Sequence, residues 1–216
     1  LAAPTFRHVA YERYKATRAK APDELYAQFP AIKEMLSIIG IPIYEKEGYE
    51  ADDIIGTAAR IIEKKFPKDD VIIVTGDLDT LQLVSPQTKV VTMKKGITET
   101  ILYDEAAVRE RFGFEPQCVA DYKGLRGDPS DNIPGVRGVG EKTATGLIKT
   151  YGSIDAIYKN IKKITPDSLR KKLEQEKEEA LFSKELATIN IAVPIKLDVE
   201  QLRWKGGDVL SKNIKL

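Results

Sequence analysis

The sequence predicts an α/β core joined to an all-helical part, and three observations predict it. Val71-Ile72-Ile73-Val74 is a continuous β-branched run between two helical patterns, the mark of a central strand covered on both faces. Two further strand patterns follow it, Lys89–Met93 and Thr100–Leu102, so helix and strand alternate through the first half. Past Asp104 the strand signal disappears and only helical patterns follow. The expected division is an α/β part over 1–103, a helical part over 104–200, and a terminal segment or linker over 201–216 that carries Gly206-Gly207.

The elements follow in order. Residues 1–20 are basic and aromatic. A helix is expected from Asp23, capped after Pro22, with Leu25, Phe29, Ile32, Leu36 and Ile39 at helical spacing until Gly40 and Pro42 stop it. Ile41–Tyr44 reads as a short strand. Residues 50–66 read as a helix that buries Ile54, Ile55, Ala58, Ala59 and Ile62. After the strand 71–74, Thr75-Gly76 leads into a short helix ending at Leu83, and a turn at Lys94-Lys95-Gly96 separates the two later strands. Helices are expected over 104–112, 116–125, 140–150, 153–160, 167–176 and 178–190.

Composition bounds the function classes. With 42% apolar and 31% charged residues, the chain has the balance of a globular protein rather than a disordered one. No run of about 18 apolar residues occurs, which excludes a transmembrane helix. The single cysteine, Cys118, excludes an internal disulfide and suits a reducing compartment; the single histidine, His8, excludes a His-rich metal site. Formal net charge is +1, but the charges are segregated. Residues 1–20 carry Arg7, Arg13, Lys15, Arg18 and Lys20 against Glu12 alone, and residues 159–172 carry six basic side chains against Asp167. Residues 45–53 carry Glu45, Glu47, Glu50, Asp52 and Asp53 against Lys46. An acidic centre between basic segments suits a metal-dependent enzyme acting on polyphosphate; solvated faces are the plain alternative for each cluster alone.

Three acidic groups stand at element boundaries: Glu50-Ala51-Asp52-Asp53 at a helix start, Asp77-Leu78-Asp79 just after the buried strand, and Asp128-Pro129-Ser130-Asp131 in a turn. The carboxyl end of a parallel strand is where open α/β sheets place ligands. Seven converging carboxylates would repel, and with no Cys or His beside them the compatible metals are hard ones, Mg²⁺ or Mn²⁺. Taken singly, the same acids serve as helix-start charges, a cap at Asp77, and turn residues. Ile133-Pro134-Gly135-Val136-Arg137-Gly138-Val139-Gly140-Glu141-Lys142-Thr143-Ala144 has the helix-hairpin-helix form, in which glycines let a DNA phosphate approach backbone N–H groups at the second helix, without sequence information. A tight helix–helix turn without a ligand is the alternative. At the start, Tyr11, Tyr14, Lys15 and Arg18 fall on one helical face, a pattern that suits a threaded strand as well as simple core packing.

These motifs, with Thr5-Phe6-Arg7-His8 and Tyr14-Lys15-Ala16-Thr17-Arg18, resemble in order and spacing the 5′ nuclease domain of bacterial DNA polymerase I, within the flap endonuclease superfamily. The resemblance covers about residues 3–200. It implies a PIN-like parallel-sheet core, a helical arch and a helix-hairpin-helix module. It implies Glu50, Asp52, Asp53, Asp77, Asp79, Asp128 and Asp131 as metal-site carboxylates, and Tyr14, Lys15 and Arg18 as arch residues at the scissile region. DNA contacts are expected at Arg7, Tyr11, Gly135, Val136, Gly138, Gly140, Lys142 and Thr143, with a K⁺ ion near Gly135, Val136 and Gly138. In the family two further strands, each bringing a metal-binding Asp, precede the Thr-Phe-Arg-His stretch. Here the chain begins at Leu1, so the core is expected to be N-terminally truncated, with those elements in a longer protein or a complementing segment.

The expected function is a structure-specific 5′ nuclease working with two divalent ions roughly 4 Å apart, on DNA with a 5′ flap, nick or RNA primer. A C-terminal polymerase region and a bacterial cytoplasmic, nucleoid-associated setting go with it. Two other readings are a non-catalytic module for branched DNA and an aspartate-nucleophile phosphatase built on Asp77-Leu78-Asp79. The phosphatase reading wants Thr or Val where Leu81 stands and leaves the glycine motif unused.

Overall fold

The computed structural model describes residues 4–95, 99–200 and Leu202. The chain opens with α1 (Phe6–Ala10), passes through turns to α2 (Asp23–Ile38), and reaches α3 (Ala51–Lys65). Strand β1 (Val71–Val74) leads through a 3-10 segment, Leu78–Leu83, to β2 (Thr88–Lys95) and β3 (Glu99–Tyr103). The helical part comprises α4 (Glu105–Phe112), α5 (Val119–Arg126), α6 (Glu141–Tyr151), α7 (Ile154–Lys159), α8 (Asp167–Gln175) and α9 (Lys177–Ala187).

The sheet is mixed where a parallel one was expected. β1 runs parallel to β2, with Ile73 opposite Val90, whereas β2 and β3 are antiparallel, with Val91 opposite Leu102. So few residues join β2 to β3 that only a hairpin pairing is possible; of the expected turn Lys94-Lys95-Gly96, Lys94 and Lys95 belong to β2 and Gly96 lies outside the described residues. β1 also departs from expectation. Ile73 is buried, but Ile72 is 50% and Val74 75% exposed: they point to the opposite face of the strand, which no layer covers among the described residues, and β2 is the strand's one partner there. Ile41–Tyr44, expected as a strand, is irregular coil with Ile41 and Ile43 exposed; β-propensity alone makes no strand without a ladder to join.

Among the described residues the larger hydrophobic cluster runs through both parts, and a smaller one gathers Tyr14, Ile133, Leu186 and Ala187. Ile73, Leu81, Leu83 and Val90 from the α/β part join Val108, Leu125, Ile148, Ile154, Ile157 and Leu173 from the helical part. The α3 stripe is narrower than its periodicity suggests: Ala59 is buried, while Ile54, Ile55, Ala58 and Ile62 are half-buried. Asp53, Gly56 and Thr57 face inward instead, because the C-terminal segment lies across this face, with Ile189 and Ile191 against Gly56. α2 carries no buried residue, and its apolar positions Leu25, Phe29 and Ile32 are exposed. α9 ends at Ala187 rather than 190, where Thr188 turns to extended backbone. Among the described residues no helix is long and apolar enough to cross a membrane.

Candidate active site

The site is assembled from four segments. α3 begins beside it: Glu50 caps the helix, and its N–H donates to Asp53 Oδ2 at 3.0 Å. Past the carboxyl end of β1, Asp77 caps the 3-10 segment by accepting the Asp79 N–H at 3.0 Å. The capping role noted for Asp77 is thus realised, and its carboxylate still faces the crevice. The third segment is the loop after α5. It is closed by reciprocal bonds between the Asp128 and Ile133 backbones, at 2.8 and 2.9 Å. Gly127 and Gly135 stack at its neck, both with positive φ. A Cβ on Gly135 would lie 2.2 Å from the Gly127 nitrogen, so only glycine closes the loop this tightly.

The fourth segment is the basic start. It is helical only over α1; residues 11–18 form successive turns, with the Tyr14, Ala16 and Arg18 N–H groups bonding three residues back. Lys15 sits in the left-handed region, φ 56°, so the single helical face expected for Tyr11, Tyr14, Lys15 and Arg18 does not form. Tertiary bonds hold the turns instead: the Lys15 N–H donates to the Asp131 carbonyl at 2.9 Å, and the Asn132 side-chain amide to the Arg13 carbonyl at 2.7 Å.

Together these segments form a small polar crevice lined by Glu50, Asp52, Asp77, Asp79 and Asp131, with Tyr14 and Lys15. Asp128 joins through its neighbours: Asp79, Asp128 and Asp131 each bring a carboxylate oxygen within 4.8 Å of the others. The negative charge is countered from within. Lys15 Nζ lies 2.5 Å from Glu50 and 3.7 Å from Asp131, and Arg18 lies 2.5 Å from Asp131. The buried Tyr14 hydroxyl donates to Glu50 at 3.0 Å; burial and the Glu50 and Asp131 charges push its pKa up. Lys123, which the sequence reading passed over, bonds both Asp79 and Asp128. Burial works against its charge, but the two carboxylates outweigh that and hold its pKa high. Asp128 is held low despite its burial by Lys123 and by the Ser130 hydroxyl and N–H.

Asp52 has no such partner. Burial, then the charges of Asp77, Asp79 and Glu50, push its carboxyl up to about 6. Asp53 next to it faces the other way. It is fully buried and takes two 2.8 Å bonds from Arg7, one from the Asn190 N–H at 2.8 Å, and the Glu50 N–H. Arg7 is itself 3% exposed, donates to the carbonyls of Leu186 and Thr188, and reaches Glu50 at 3.4 Å, so its guanidinium lies at the edge of the crevice with its donors already taken by protein. Tyr11 packs edge-on against Phe182. Among the described residues the crevice offers carboxylate oxygens and no thiol or imidazole, a donor set that fits a hard divalent cation.

The glycine hairpin stands behind this site. Gly135 donates to the Ser183 hydroxyl at 3.0 Å, and Val136 to the Leu125 carbonyl at 2.8 Å, which anchors the turn in the core. Gly138 and Gly140 are exposed; Gly140 caps α6, and nothing lies within 4 Å of where its Cβ would stand, so the start of α6 is open to an approaching group. Lys142 is exposed and Thr143 half-buried on the first turn. Lys172, from the 159–172 basic cluster, rests over Gly138.

An acidic crevice past the carboxyl end of β1 and a glycine hairpin that opens α6 thus stand together in an α/β part joined to a helical part. A model of the 5′-3′ exonuclease N-terminal resolvase-like domain matches residues 2–113, and one of the 5′-3′ exonuclease C-terminal SAM fold matches 114–209. The chain belongs to the 5′-3′ exonuclease family. It is 45% identical over 205 residues to DNA polymerase I of Bacillus caldotenax and 46% over 202 residues to that of Bacillus subtilis, covering 94% of this chain in each case. It spans only 23% of the length of either relative. T5 5′-exonuclease with bound zinc shares the fold, with a TM-score of 0.73 at 22% identity over 97% of this chain and 77% of that one. The catalytic core of Rad2 with a DNA substrate aligns with a TM-score of 0.52 at 15% identity over 99% and 71%.

Proposed function

We propose that the chain is the nuclease part of a structure-specific 5′ nuclease that hydrolyses phosphodiesters at 5′ flaps, nicks or RNA primers in DNA replication and repair. The observation that carries this reading is one crevice lined by Glu50, Asp52, Asp77, Asp79 and Asp131 against Tyr14 and Lys15, in a chain of the 5′-3′ exonuclease family. Bound Mg²⁺ or Mn²⁺, as two ions, would supply an activated water and neutralise the leaving oxygen. Glu50, Asp52, Asp77, Asp79, Asp128 and Asp131 would hold them. Asp77, just past the carboxyl end of β1, is the one of these six that is exposed. Lys15 and Arg18, which in the metal-free chain neutralise Glu50 and Asp131, offset charge on the reacting phosphate. Tyr14 orients Glu50. No side chain serves as a covalent nucleophile.

Arg7 and Asp53 brace the site rather than touch DNA or metal. Arg7 ties α1 to α3 and to the chain after α9, so the basic start stays over the crevice. Gly138, Gly140, Lys142 and Thr143 grip a duplex phosphate without reading sequence; Gly135 and Val136 hold the turn, with a K⁺ ion at its carbonyls. The whole protein carries a polymerase region beyond this chain and works in the bacterial cytoplasm at the nucleoid, in keeping with the DNA polymerase I relatives. The test is Asp77→Ala in the full-length protein, assayed on a duplex with a 5′ flap. Divalent-dependent cleavage is expected to vanish while flap binding is largely kept. Cleavage at the wild-type rate ends the assignment, and a wild type that binds flaps but never cuts at any Mg²⁺ or Mn²⁺ concentration is a binding module.

A further inference from the structure

Lys123 projects from α5, a helix buried along its whole length from Val119 to Leu125, and its side chain is only 11% exposed. Its ammonium lies 2.6 Å from Asp128 Oδ2 and contacts the Asp79 carboxylate. The other Asp128 oxygen is already taken by the Ser130 N–H and hydroxyl, at 2.9 and 2.7 Å. Lys123 therefore engages Oδ1 of Asp79 and the one Asp128 oxygen that Ser130 leaves open, within the trio these acids form with Asp131.

We propose that Lys123 is a built-in counter-cation that competes with the divalent ion for Asp79 and Asp128 and so sets the metal affinity of the site. The inference rests on the divalent-metal reading given above. It follows from two constraints. Two carboxylates this deep need a positive partner whenever no metal is bound, and Lys123 supplies one that cannot diffuse away. A divalent ion bound to these two carboxylates meets a like charge at close range and competes with the ammonium for Asp128 Oδ2, the one oxygen of that acid not held by Ser130. Lys123 is a positioning residue here: it trades metal affinity for an ordered, metal-free site.

The direction of the effect separates this from ordinary structural support. A scaffold residue weakens metal binding when removed; a competing cation strengthens it. Mn²⁺ titration of the full chain, with free Mn²⁺ read by electron paramagnetic resonance, is the test. Lys123→Met is expected to bind Mn²⁺ about tenfold tighter or more, as loss of a contact-range charge requires. Lys123→Arg, which keeps the charge, should stay within a few-fold of wild type. Adding Asp128→Asn to Lys123→Met should remove the gain. Without metal, Lys123→Met should melt below wild type, and Mn²⁺ should raise its melting temperature by more. If Lys123→Met is too unstable to titrate, Lys123→Gln, neutral but still hydrogen-bonding, is expected to show the same tightening. Equal or weaker Mn²⁺ binding in the neutral variants, with wild type binding normally, overturns the role of Lys123 and leaves the metal reading intact. No Mn²⁺ binding by wild type or either neutral variant removes both.

Discussion

Asp52 and Asp53 are neighbours on the first turn of one helix, and their surroundings assign them opposite work. Asp53 is fully buried and fully partnered: Arg7 grips both its oxygens, two backbone N–H groups add to that, and its carboxyl is held below the usual range in spite of its burial. Asp52 is half-buried with three carboxylates for company, and its carboxyl rises to about 6. One acid stabilises the fold as a permanent anion. The other is an anion that burial and its acidic neighbours disfavour and that Lys15 only partly offsets, so a further cation beside it would stabilise it. A helical offset of one residue, about 100° around the axis, is enough to separate a brace from a metal-type ligand.

The comparison is broken most severely at Arg7. Arg7→Met leaves Asp53 buried without its partner, and loss of one side of a buried pair costs about 3–5 kcal/mol. Urea melts should show that loss undiminished by Mg²⁺ or Mn²⁺, since Asp53 faces away from the crevice; full recovery on adding metal would mean that Asp53 belongs to the metal site. The next effect in size is the converse. Divalent ion at a hundredfold its Kd should stabilise the chain by about 2.7 kcal/mol. Thermal melts with and without Mn²⁺ should show most of that gain lost in Asp77→Ala and retained in Asp53→Asn relative to its own metal-free baseline. The opposite pattern would exchange the roles of the two acids.

Much of this arrangement was legible in the sequence, and for a physical reason. The helices from α4 onward came from periodicity, which reports local burial, and β1 from its β-branched run, although the cover on both faces that the run implied is not there. The acidic groups were legible because each stands at an element boundary, where a side chain leaves the core and can face a shared crevice. What stayed hidden depends on chain segments far apart. Arg7 meets Asp53 across 46 residues and Thr188 across 181, so a basic, aromatic start reads as a DNA-facing segment until its guanidinium is seen turned inward. Lys123 meets Asp79 across 44 residues; only its place one turn ahead of Asp128 gave a local hint. Lys15 defeats the helical-face reading because a bond from its N–H to the Asp131 carbonyl holds it left-handed against its intrinsic preference. Ile41–Tyr44 shows the same limit for strands, since propensity says nothing of whether a partner strand lies alongside.

The smallest effect discriminates most finely, because its sign depends on pH and on metal. Burial and the neighbouring carboxylates push the Asp52 carboxyl from its ordinary 3.8 up to about 6 in the folded chain, so the folded state binds the extra proton. Below pH 3.8 the group is protonated in both states and nothing is lost. As pH rises from there through about 6, stability falls, and above 6 the penalty is complete. Asp52→Asn should therefore stabilise the metal-free chain at pH 7 by about 1 kcal/mol once solvent screening is allowed for, and leave it unchanged near pH 3.5. With saturating Mn²⁺ the order should invert, because wild type then gains a ligand that the amide supplies poorly. Urea melts at the two pH values, with and without metal, read all of this. An Asp52→Asn variant that is less stable at every pH and indifferent to Mn²⁺ would make Asp52 a brace like its neighbour, and the contrast between the two would dissolve.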